Sequence, residues 1–411
     1  MRSSVTRRAV LATGLAAAAA RPRIGRAQSA PIRVGVLTDM AGPYAANTGP
    51  GSVLGALMAI EDFMRANPAM KVELVQADFQ LKPEVALSIA SGWIDNQGVD
   101  LITDVPLSSA AFAIGELVKQ KDKVAIFTGG ASADITGGHC GPNHLHWVYD
   151  TWSMPHGVVD ASVKEGGDSW FFITADYAFG HSLEKDSAAF VTAAGGKVVG
   201  QALAPFPGTK DFSAYIVQAH ASGAKVVGLA NGGEDTVNCI KQAAEFGLIK
   251  GGQKVAGLLF LIHDVKGVGL EATQGVLLTE PFYWNLNDGT RDFARRYMAR
   301  FNGVVPGSVH AGQYAGVMHY LKAVSAVGVD KAKASGLAVV KQMKATPTED
   351  ALFGKGRVRE DGRVIHNMYL FEVKAPGASK EPWDFYTLKR TVPAEQAFRP
   401  MDQGGCKMVQ T

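Results

Sequence analysis

The sequence predicts an α/β protein: two doubly wound parallel-sheet lobes joined by a hinge of three crossings. Three observations carry that expectation. Short apolar runs such as PIRVGVLT (Pro31–Thr38) alternate with helix-period stretches, the pattern of repeated strand–helix units. The alternation runs twice, interrupted at His144–Ser153 by HLHWVYDTWS, an aromatic stretch with no helical period. Beyond Pro281 helical patterns return and a β-rich tail follows, so the chain leaves one lobe, builds a second and comes back. The expected lobes are residues 31–150 with 283–346, and 151–282 with 347–400, leaving 401–411 as a tail near the hinge. A chain of 411 residues exceeds what one core comfortably supports, which agrees with two lobes.

Residues 1–30 read as an export signal rather than as part of the fold. Arg2, Arg7 and Arg8 form a basic start, and Ala9–Ala20 is an uncharged, weakly apolar core too short and alanine-rich to span a bilayer. Small residues then offer a cleavage point near Ala27 or Ala30. Thr6–Leu11, TRRAVL, is similar to a twin-arginine signal. Export changes the charge balance. The 41 Lys and Arg lose six arginines from this segment, leaving 35 against 38 Asp and Glu, a formal −3 in place of +3. No basic run remains, so neither nucleic acid nor an anionic membrane is an expected partner. Of three cysteines, Cys239 falls inside the amphipathic pattern TVNCIKQAAEF and reads as buried. Cys140 (HCGP) and Cys406 (GGCK) lie in glycine-rich loops and are the expected disulfide pair in an oxidising compartment. No Cys/His spacing suggests a metal, and no cofactor is expected.

In order, the first strand leads into the loop DMAGPYAANTGPGS, and Ser52 opens the helix VLGALMAIEDFMRAN. KVELVQAD and PEVALSIASGWIDNQ repeat the unit. Leu101–Gly138 then holds two units side by side. LITDV is stopped by Pro106, and Ser108 and Ser109 stand at the start of a helix. There a hydroxyl either caps free backbone N–H groups or joins them in holding an anion. VAIFT runs into Gly129, Gly130, Ala131 and Ser132, where missing side chains admit a ligand to the backbone. Ligands of open parallel sheets collect outside the carboxyl ends of neighbouring strands, so the two loops together predict a site. The second series has SWFFIT, KVVGQALA, KVVGLA and KVAGLLFL as strands, with helices such as HSLEKDSAAFVTAAG between them. The tail alternates around Asp361-Gly362, a hairpin turn, and WDFYTLKRTV adds an antiparallel strand.

Five stretches in this order resemble the branched-chain amino-acid-binding family of periplasmic solute-binding proteins. They are RVGVLTDMAGPYAANTGPGSVLGALMAIEDF, DVPLSSAAFAIGELV, FTGGASADITG, ITADYAFGHSLEK and IKQAAEFGL. The resemblance covers nearly all of the mature chain. It implies a type I periplasmic binding protein clamshell that works as the extracytoplasmic component of an ABC importer, as a monomer with membrane permease subunits as partners. It also implies that Ser108 or Ser109, with Gly130, Ala131 and Ser132, holds a ligand carboxylate, and that Tyr177 closes over it. Where the family carries a proline-glutamate-glycine turn for an α-ammonium group, this chain has LIHDVKGVG, with Asp264 the nearest acid and His263 beside it.

The residues themselves add Tyr44 in the first loop, Tyr149 and Asp150 on the crossing, and Tyr283 and Trp284 after VLLTEPF. Such an aromatic wall suits an apolar body better than a sugar. Two ligands stay open: an aliphatic amino acid such as leucine, which the family favours, and an aromatic acid or amide lacking the amine. Asp264 separates them, since only the first needs it. A nucleotide-dependent enzyme is disfavoured because GPYAANTGPGS lacks the tight glycine spacing of a pyrophosphate loop. Gly180–Ser182 also lacks the surroundings of a nucleophile elbow. A ligand sensor is the third class. The exported chain has no segment fit to fuse it to a membrane receptor.

Overall fold

In the computed structural model, which describes residues 30–248 and 251–409, the first lobe grows from five parallel strands. These are β1 (Ile32–Thr38), β2 (Val72–Asp78), β3 (Leu101–Asp104), β4 (Val124–Phe127) and β5 (His144–His146), in the sheet order β2-β1-β3-β4-β5. Helices α1 (Gly49–Ala66), α2 (Pro83–Gln97) and α3 (Ser108–Gln120) make the crossovers. β3 and β4 are buried at every residue, because helices cover both faces of the sheet, and so their sequences run apolar instead of alternating. Pro83 starts α2 and Gly98, at φ 65°, ends it, the usual division of labour between those residue types. The export signal read on residues 1–30 lies, all but Ala30, outside the described residues.

The chain crosses over at Tyr149–Thr151 and builds the second lobe. Here α4 (Pro155–Lys164), β6 (Ser169–Ala175), α5 (Ala178–Ala193), β7 (Lys197–Ala204), α6 (Ser213–Ala221), β8 (Val226–Ala230), α7 (Glu234–Glu245) and β9 (Lys254–Gly257) follow in turn. The sheet order is β7-β6-β8-β9, again all parallel. After α8 (Ile262–Val268), α9 (Leu270–Thr273) and β10 (Leu277–Glu280), the chain returns at Pro281–Phe282. It adds α10 (Asp288–Met298), α11 (Ser308–Val327), α12 (Val329–Ala334) and α13 (Gly336–Ala345) to the first lobe, with α11 lying against α1. Three short antiparallel strands follow, β11 (Thr348–Asp350), β12 (Gly354–Val358) and β13 (Val364–Ile365). A last crossing at His366–Asn367 leads to β14 (Met368–Val373) and β15 (Tyr386–Val392), then to α14 (Ala394–Ala397). β14 pairs antiparallel with both β10 and β15, giving the second lobe a sheet of its own. The fold is thus two α/β lobes with three crossings. No helix among the described residues is long and apolar enough to cross a membrane.

Three local expectations change. The strand expected from KVAGLLFL stops at Gly257, and LIHD opens a helix instead of a turn. The tail from Thr348 to Ile365 belongs with the first lobe, because β12 packs on α13 and Arg363 bridges to His146 of β5; β14 and β15 join the second lobe. Ser108 does not cap α3. Leu107 holds the cap position, and Ser108 sits inside the first turn with its hydroxyl committed elsewhere. Cys140 and Cys406 are joined in a disulfide, their Cα atoms 5.6 Å apart, while Cys239 is buried and free.

Candidate functional site

The carboxyl ends of β1, β3 and β4 face those of β6, β8 and β9 across the cleft, and the loops leaving them meet there. β3 ends in two residues with left-handed backbone, Asp104 at φ 82° and the β-branched Val105 at φ 54°. Such conformations cost about 1–3 kcal/mol each and gather where function over-determines the backbone. They turn the chain so that Pro106 and Ser108 face the cleft. On β4's loop, Gly129 cannot be replaced without conflict, since an added Cβ would lie 2.7 Å from Asp104 Oδ1. Asp104 is therefore packed directly behind this loop. Thr128 donates to it, and burial pushes its carboxyl up to about 6.

A cavity of about 30 Å³ lies between the lobes, lined by Tyr44, Asn47, Thr48, Pro106, Ser108, Gly129, Ala131 and Tyr149 from the first lobe and its crossing. Tyr177, Phe179, Gly233, Leu259 and Leu261 line it from the second. That volume is room for about two waters, so the cleft is drawn shut. The closing contact is between two tyrosines: the Tyr44 and Tyr177 hydroxyls are 2.6 Å apart. Phe206 stacks on both rings, at 5.2 Å from Tyr44 and 4.6 Å from Tyr177. Burial pushes both phenols up, and the nearby Asp235 carboxylate adds to it, so both stay protonated donors. Further contacts join the lobes around the cavity. Glu234 N donates to Pro43 O at 3.1 Å, and Asn47 Nδ2 donates to Asp264 at 2.8 Å.

Of the residues singled out in the sequence, Tyr44, Ser108, Ala131 and Tyr177 reach the cavity, as does Tyr149. Ser108 Oγ accepts from Ser132 N at 3.1 Å, which leaves its own proton free to donate. The Ala131 N–H has no acceptor among the described residues. The other candidates are used differently. Ser109 lies outside the lining, and Gly130 is packed beneath the loop against the Val105 carbonyl. Ser132 turns its hydroxyl away, to Ser182 of the second lobe at 3.0 Å and to Asp134 N. Asp150 folds back onto Trp152 N and Ser153 N and faces Arg363. Trp284 donates to Trp383 O, and Tyr283 packs with Phe371 and Tyr386, in a cluster away from the cavity.

Asp264 is the most informative displacement. Because LIHD forms a helix, its carboxylate accepts from Leu261 N at 2.9 Å at the helix start, with Asn47 as second donor. It stands behind the wall that Asn47 and Leu261 present to the cavity, where burial pushes it up to about 6. Asn47, Phe179, Leu261 and Phe206 were not legible as site residues. The signal closest to one is Phe206 itself, an aromatic held between Pro205 and Pro207 in a loop at the carboxyl end of β7.

A family model described as periplasmic binding protein matches residues 31–380. The chain belongs to the periplasmic binding protein family. Among solved structures, a periplasmic binding protein from Burkholderia mallei is 42% identical, with a TM-score of 0.88 covering 92% of this chain and 99% of that one. A branched chain amino acid ABC transporter periplasmic ligand-binding protein from Burkholderia xenovorans LB400 is 40% identical, with a TM-score of 0.79 and the same coverage. An ABC transporter solute binding protein from R. palustris, in complex with 4-hydroxybenzoate, is 19% identical and shares the fold, with a TM-score of 0.78 covering 89% and 98%. No curated protein sequence matches the chain. The tyrosine contact is where the cleft of this periplasmic binding protein closes.

Proposed function

We propose that this periplasmic binding protein is the substrate-binding component of an ABC importer and encloses a small carboxylate with an apolar or aromatic body. The observation that carries this reading is the character of the lining. Hydroxyl and N–H donors from Ser108, Tyr149, Tyr177 and Ala131 share the lining with apolar Pro106, Phe179, Leu259 and Leu261, and no charged side chain lies among them. Hydrogen bonds to a charged group contribute about 1.5–3 kcal/mol each, so three or four donors hold a carboxylate without a cation. A carboxylate in front of Gly129 would also favour the neutral form of Asp104, already pushed up to about 6. The R. palustris protein that shares only the fold binds such a ligand, an aromatic acid without an amine.

One observation favours an amino acid instead. Asp235 is buried, one of its carboxylate oxygens has no partner, and it lies near enough to Tyr44 and Tyr177 to raise both. It, in place of Asp264, is the acid that this reading assigns to an α-ammonium group, and the B. xenovorans relative is the periplasmic ligand-binding protein of a branched chain amino acid ABC transporter. A thermal-shift screen separates the readings, since a ligand at a hundredfold its Kd adds about 2.7 kcal/mol of stability. Benzoate or 4-hydroxybenzoate is expected to raise the melting point of wild type and of Asp235→Asn equally, with benzamide and leucine silent. Leucine stabilising wild type but not Asp235→Asn would establish the amino acid. Benzamide matching benzoate would remove the carboxylate.

Ser108 gives the second test. In calorimetry with the ligand so identified, Ser108→Ala is expected to weaken binding by roughly 10- to 100-fold, the loss of one charge-assisted bond. Ser109→Ala, outside the lining, is expected to change affinity less than twofold. Equal effects of the two substitutions would mean that the carboxylate does not sit at the start of α3.

A further inference from the structure

A second cavity, of about 250 Å³, lies in the second lobe between α4, β10, β14 and β15, away from the cleft. All three crossings reach its wall: Ser153 follows the first, Thr279 precedes the second and Met368 follows the third. Three donors of its lining have no partner among the described residues. Thr279 is 3% exposed, yet its hydroxyl has no hydrogen-bond partner. Arg390 and His156, both solvent-exposed residues, line the same space, and neither side chain is hydrogen-bonded or ion-paired among the described residues. His156 is held in place by its stack on Phe190, ring centroids 4.5 Å apart. The one carboxylate of the lining, Asp160, is engaged with Lys164 at 2.8 Å.

Two of these donors come close together beside Gly157. A methyl group added at Gly157 would lie 3.5 Å from Thr279 Oγ1 and 3.6 Å from Arg390 Nη2. A hydroxyl and a guanidinium facing one spot suit an acceptor that carries negative charge on two or more oxygens. We propose that this cavity is a second ligand site, which takes a small oxyanion, a carboxylate or inorganic phosphate, on Arg390, Thr279 and His156.

The test is calorimetry on the purified full chain with sodium phosphate and with sodium acetate, ionic strength held constant with sodium chloride. Saturable binding of one or both is expected, and which of them binds identifies the source of the oxyanion. Arg390→Gln and Gly157→Ala should each weaken that binding at least tenfold. The methyl of Gly157→Ala narrows the space beside Thr279 and Arg390 while making only ordinary van der Waals contacts, so this variant keeps the fold. Ser108→Ala, in the cleft, should leave it unchanged. Absence of saturable binding by either anion, an unchanged Kd in Gly157→Ala, or loss of binding in Ser108→Ala would each overturn the proposal.

Discussion

Replacing Arg363 by methionine is expected to cost about 3–5 kcal/mol of stability, although the residue does not itself line the ligand cavity. Its side chain is fully buried. The guanidinium donates to Val148 O at 2.5 Å, Tyr149 O at 3.2 Å and Val364 O at 3.1 Å, and it lies over the Phe398 ring at 4.3 Å. Burial lowers its pKa only to about 10, so it remains charged, with the Asp150 carboxylate 3.5 Å away as counter-ion. One side chain from the tail thus ties together the first crossing, the third crossing and the closing segment. Methionine fills most of the volume, so the measured loss isolates three stranded carbonyls and an uncompensated Asp150 from any cavity effect. Lysine should not rescue, because one ammonium cannot reproduce a planar fork aimed at three carbonyls. Denaturant melts of Arg363→Met would read this directly, and a loss below about 1 kcal/mol would mean that the hinge does not depend on the clamp.

Removing the disulfide should cost almost as much by a different route. Cys140 and Cys406 are separated by 266 residues, so their bond closes a loop that holds most of the unfolded chain. The chain-entropy account puts such a closure near 5 kcal/mol, and measured values rarely exceed that. Cys140→Ser with Cys406→Ser is expected to lose about 4 kcal/mol in a chemical melt. Cys239 cannot substitute, being buried in the second lobe. Ligand affinity should hold in the folded double variant, because Arg399 still anchors the tail by donating to Ala133 O at 2.9 Å. A melt unchanged by dithiothreitol in wild type would sink this expectation.

The sequence by itself determined the two lobes, the three crossings and the loops that meet in the cleft. Those depend on local periodicity: β3 and β4 read as buried strands, Pro106 and Gly129 read as their ends, and such loops gather at one edge of a parallel sheet. Family resemblance then added Tyr177, and the first loop's composition added Tyr44. Both reach the cavity. Only the tertiary structure decided which polar side chains face it. Ser132, Asp150 and Asp264 have the right chemistry in the right segments, yet each is turned to a backbone N–H or a partner that another part of the chain brings up. Phe206 and Asn47 made the opposite passage, from unremarked loop positions to the closing surface. The physical reason is that a buried acid or hydroxyl must satisfy its hydrogen bonds, and its partners lie up to some two hundred residues away, beyond any periodicity that a strand or helix writes into the chain.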